Sequence, residues 1–195
     1  MKKKIWIISA IGFIFLVATL LIPAMRSSQP EVPIVLSAEL DEALAEEYVM
    51  EEIKSRIKSG SSYCVWTEET EIALSVPLYD CDDVCFGYVF KLCTNGEETG
   101  YIQVNYLNGE IFTYCRSYQG IPAYEGLAKE GLASRFEEQS EKLYFFGNMS
   151  YCYKTEDNMF ASINGTAEVA EEEAKEYFQE IMTYIVQRRR ESAVE

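Results

Sequence analysis

The apolar positions of this chain fall into successive patterns, and each pattern predicts a different element. Ile5 to Met25 are 21 consecutive residues without a charge; at about 1.5 Å per residue, such a helix spans the roughly 30 Å of a hydrocarbon core. From Ser37 to Ser59 the pattern turns helical. Leu40, Leu44 and Tyr48, then Val49, Ile53 and Ile57, recur at four-residue steps, with acidic residues toward the start and Lys54, Arg56 and Lys58 near the end. Gly60 can supply the left-handed stop. The period then drops to two. Ile72, Leu74, Val76 and Leu78 alternate with small or polar residues, as do Phe86, Tyr88, Phe90 and Leu92, and then Ile102, Val104 and Tyr106. Turns at Asp80 to Val84, Asn95-Gly96 and Asn108-Gly109 join these strands to one another and to a fourth at Ile111 to Cys115, which predicts an antiparallel meander.

Tyr124 to Lys142 reads as a helix with Leu127, Leu132 and Phe136 inward, weakened by Gly126 and Gly131. Strands follow at Leu143 to Phe146, Tyr151 to Lys154 and Met159 to Ile163. An Asn164-Gly165 turn with Thr166 as N-cap opens a last helix, with Ala170, Ala174, Phe178, Ile181 and Ile185 on one face and Arg188, Arg189 and Arg190 at its negative end. This order predicts an α+β fold: an N-terminal transmembrane helix, then a curved antiparallel sheet with helices packed on one face. The expected organisation is a cytoplasmic tip and anchor over 1–26, a tether over 27–36 and an extracytoplasmic domain over 37–195.

Charge sets the orientation and excludes one class of partner. Lys2, Lys3 and Lys4 precede the apolar run and a lone Arg26 follows it, which places the N-terminus in the cytoplasm and the domain outside, in a single-pass arrangement. A cleaved signal peptide, giving a secreted protein, is the alternative. Of 17 basic and 32 acidic side chains, only those four basic ones come before Glu31, so 13 basic residues face 32 acidic ones and the outer part carries a net −19. Such a surface repels phosphate backbones, and no nucleic acid is expected as a partner.

The chain has no histidine, which removes Ser-His-Asp and Cys-His nucleophilic machinery and imidazole metal sites together. No catalytic residue, metal or cofactor is assigned. All 6 cysteines follow the anchor, which suits an oxidising exterior, and Cys81 and Cys85, flanking a hairpin tip, are expected to form a disulfide. Asp80, Asp82 and Asp83 cluster at the same turn without the spacing of a calcium loop and read as ordinary turn acids. Asn148 and Asn164 begin glycosylation sequons, of which the second is better explained by its turn.

The segments Pro77 to Phe90, Gly100 to Val104 and Tyr144 to Tyr153 resemble the propeptide-like domain of secreted papain-like cysteine peptidases of Gram-positive bacteria, the streptopain type, over about Val65 to Lys154. The resemblance implies a cystatin-like fold that packs on a peptidase and covers its cleft. The expected function is therefore a non-catalytic, membrane-anchored extracytoplasmic interaction domain, an inhibitor or chaperone of a papain-like peptidase acting in trans. The alternatives are a surface domain for another ligand and a carboxylate-dependent glycosidase. The expected binding residues are Tyr118, Gly120, Ile121, Pro122 and Tyr124, in a stretch whose Gly and Pro favour an extended connection; a buried crossover loop is the plainer reading of the same stretch.

Overall fold

In the computed structural model, residues 37–60, 64–116, 120–147 and 150–192 are described, and they belong to one compact unit. The expected anchor and tether lie outside these residues, as do Tyr118 and Asn148. Among the described residues no helix is long and apolar enough to cross a membrane.

The first helix, α1, runs Glu42–Ser59. Asp41 caps it by accepting a hydrogen bond from the Leu44 N–H, and Gly60, at φ 63°, closes it in the left-handed conformation. Its buried stripe is Ala45, Val49 and Ile53; Leu44, expected inside, is exposed. The meander follows as β1 (Thr70–Tyr79), β2 (Cys85–Thr94), β3 (Glu97–Leu107) and β4 (Glu110–Arg116). Both Asn-Gly turns adopt positive φ at each central residue, 55° and 81° at Asn95-Gly96 and 52° and 80° at Asn108-Gly109, as tight hairpins require. Gly87 lets β3 approach closely, since a Cβ there would stand 2.4 Å from the Val104 carbonyl oxygen.

Between the meander and the second half of the sheet come two short helices, α2 (Ala123–Leu127) and α3 (Leu132–Glu137), instead of one long one. The break is local: Ala128 is extended and Gly131 takes φ 79°. β5 (Leu143–Phe145), β6 (Tyr151–Lys154), β7 (Phe160–Ser162) and an unexpected two-residue β8 (Glu168–Val169) precede the last helix, α4 (Glu171–Ser192). Asn164 does not lead into that helix. Its side chain accepts from Ser162, Thr166 N–H and the Thr166 hydroxyl, and β8 intervenes.

The eight strands form one sheet, in the order β4-β3-β2-β1-β5-β6-β7-β8. It is mixed, which corrects the antiparallel expectation: the α2–α3 crossover returns the chain to the far side of β1, where β5 enters parallel, with Leu78 beside Leu143 and Tyr79 beside Tyr144. Helices also cover both faces. Tyr88, Phe90, Leu92, Ile102 and Val104 pack with Val49 and Ile53 of α1. The alternate position Val89 joins Val76, Leu78 and the helical Tyr124, Leu132 and Phe136 in a second cluster. α4 contributes Ala174, Phe178, Met182 and Val186 to that second cluster, with Phe178 against Phe86 and Phe146.

Candidate functional site

The crossover segment that ends in α2 is the stretch singled out by its Gly and Pro content. Ile121 is 52% exposed and Leu127 40%, and the Ile121 side chain lies over Gly126, the residue before Leu127. Tyr124 points the other way. It is completely buried, edge-on to Phe136 and Tyr151, and cannot be a contact residue for a partner. Pro122 is buried as well, and Gly120 is exposed. Of the expected binding residues, then, Ile121 and Gly120 are at the surface, while Tyr124 and Pro122 anchor the segment. Leu127, expected in the core, is the residue that sequence reasoning missed; the broken helix turns it outward.

Beneath this surface lies a polar cluster. The Lys91 ammonium, on a side chain only 13% exposed, stands 3.2 Å from Glu125, 3.2 Å from Glu137 and 3.5 Å from Glu98. Tyr124 donates its hydroxyl proton to Glu137 at 3.1 Å, and Tyr151 donates to Gln103 at 2.6 Å, which in turn donates to Asn105. Burial alone lowers the pKa of Lys91, but hydrogen bonds and charge from Glu137 and Glu125 outweigh it and hold the pKa above the ordinary lysine value. Burial, then the Glu137 charge and hydrogen bond, push the Tyr124 phenol upward, so it stays a donor. The cluster is a fastening: it pins α2 and α3 to β2.

The cysteines form no disulfide at the expected place. Cys81 and Cys85 are both free thiols. Their turn is closed by Asp80 N–H to the Val84 carbonyl, and an irregularity between Leu78 and Tyr79 sets Cys85 opposite Tyr79. Cys81 is thereby buried in the cluster that holds Cys152, while Cys85 packs against the cluster under α1 and points at the Gly87 carbonyl. Burial pushes the Cys81 and Cys152 thiols up to about 12 and raises Cys85 as well, so none of them is held as a thiolate.

The acidic turn is engaged in structure. Asp80 accepts from the backbone N–H of Asp82 and Val84 at 2.9 Å each and from the Ser37 hydroxyl. Asp83 accepts from Lys142 at 2.8 Å and from the Tyr144 hydroxyl at 2.6 Å, and Lys175 pairs with Asp82 at 2.7 Å and Glu171 at 2.9 Å. No group of metal-ligating side chains is present among the described residues. No protein-family description, curated protein or solved structure matches this chain.

Proposed function

We propose that this domain is a non-catalytic interaction module, held on the outer side of a membrane by the apolar run from Ile5 to Met25, and that it docks a papain-like cysteine peptidase with the surface around Ile121 and Leu127. The observation that supports this is the two-sided construction of the crossover: Tyr124, Glu125 and the Lys91 cluster fix it from below while Ile121 and Leu127 are turned out. An apolar surface already held in place loses little conformational freedom on association. The lack of histidine and the protonated buried thiols support a role other than nucleophilic catalysis. The peptidase is the partner implied by the resemblance of Pro77 to Phe90 and Tyr144 to Tyr153.

The test is titration of the full chain, in detergent micelles, against papain-like peptidases from the same cell surface. Binding is expected, weakened about tenfold or more by Ile121→Asp, which corresponds to about 1.4 kcal/mol. Failure to bind any of them removes the peptidase partner; binding untouched by Ile121→Asp removes this surface. Protease added to intact cells is expected to remove a C-terminal tag, and a protein found free in the medium with its N-terminus near Met25 overturns the anchor.

A further inference from the structure

The sheet is interrupted beside β1. β2 runs along the whole of one side, from Thr70 opposite Thr94 to Tyr79 opposite Cys85, whereas β5 pairs on the other side with Leu78 and Tyr79 alone. Among the described residues no strand pairs with Thr70 to Pro77 on that second side. Pro77 agrees with this, since a proline within a strand is confined to positions where no neighbour needs its N–H. Glu71 and Ala73 on this edge are exposed.

A groove opens at the start of β1, between α1 and Thr67 to Thr70, with a volume of ≈ 500 Å³, within the range of natural binding sites. Met50, Ile53 and Ile57 line it with apolar side chains, Lys54 and Lys58, one helical turn apart, bring two ammonium groups, and Glu68 brings one carboxylate. Both lysines are exposed, and no described carboxylate pairs with either. In a chain with 32 acidic side chains, a groove lined by two lysines, neither in an ion pair among the described residues, and by the single carboxylate of Glu68 keeps a net positive lining on an acidic body.

We propose that this notch binds an extended polypeptide segment, which adds as a strand along Thr70 to Ser75, lowers an apolar side chain into the groove beside α1 and sets a carboxylate on Lys54 and Lys58. The unpaired strand edge supplies main-chain donors and acceptors, the groove selects an alternate side chain, and the lysines fix register and the sign of the charge. The site is separate from the Ile121 surface, so each stands or falls alone.

The full chain in detergent micelles is panned with a random peptide display library, and enriched peptides are synthesised and titrated. Enriched sequences are expected to place an acidic residue within two positions of a large apolar one. Bound peptide is expected to slow amide hydrogen exchange across Glu71 to Ser75, and the double variant Lys54→Glu, Lys58→Glu to weaken binding about tenfold or more in protein whose circular dichroism shows the parent fold at the temperature of the titration. Ile121→Asp is expected to leave peptide binding intact. No enrichment, retained affinity in the double variant, or unchanged exchange at the edge each overturns the proposal.

Discussion

Asp83 shows how one side chain can carry a measurable share of the pH response. Burial raises its pKa, but hydrogen bonds from Lys142 and Tyr144 and the charges of Lys142 and Lys154 outweigh burial and hold it below the ordinary 3.8. A depressed folded pKa gives a contribution that is present above the unfolded value and lost as pH falls through the lower folded value. Asp83→Asn is therefore expected to reduce the fall in melting temperature below about pH 4 relative to the parent chain. Asparagine also tolerates the φ of 64° at this position, so the backbone is not the variable. A parent and variant that lose stability in parallel below that pH would exclude the Asp83 contribution. The thiols make a second residue-scale prediction. Cys81 and Cys152 are buried and raised to about 12, so an alkylating reagent at neutral pH is expected to label them only after unfolding, read by peptide mass spectrometry. Rapid labelling of either in the native protein contradicts their burial.

At the scale of elements, the Lys91 cluster is what fastens α2 and α3 to the sheet. Lys91→Met leaves Glu125 and Glu137 facing each other without the ammonium, and the expected cost is about 2 kcal/mol, between the values for exposed and fully buried pairs. Hydrogen exchange should accelerate more in Ala123–Glu137 than in β2 and β3; uniform acceleration shows that another contact holds the crossover. None of this was legible in the sequence, because Lys91, Glu98, Glu125 and Glu137 are brought together only by the fold. The meander was legible, since each strand alternates and two of its turns carry Asn-Gly. The docking of β5 was not: alternation states which face a residue occupies, not which strand lies beside it, and parallel pairing depends on the crossover. Ile121 was legible as a surface residue of a Gly- and Pro-containing stretch. Leu127 was read with the wrong orientation because the helical period from Tyr124 to Lys142 breaks at Ala128 to Gly131, and Tyr124 because it belongs to α2, which turns its ring into the core, and not to an extended connection.

For the whole molecule, the dominant electrostatic fact is excess negative charge. After Arg26 the chain has 13 basic residues for 32 acidic ones, and several of the basic ones serve more than one carboxylate: Lys91 meets three glutamates, and Lys175 meets Asp82 and Glu171. Among the described residues most carboxylates have no ion-pair partner, and the repulsion within this negative excess opposes the compact state. Salt screens exposed charges strongly beyond about 10 Å at 0.1 M, while the partly buried Lys91 pairs are screened less. Raising sodium chloride from about 10 mM to about 150 mM is expected to raise the melting temperature of the full chain in a non-ionic detergent. If the relief is about 1 kcal/mol, the rise is about 2–4 °C for a chain of this size. Lys91→Met should show the same rise from a lower starting point, since the long-range repulsion does not depend on that side chain. A melting temperature that falls over this range in both proteins shows that short-range ion pairs, and not the unpaired carboxylates, control the stability of the domain.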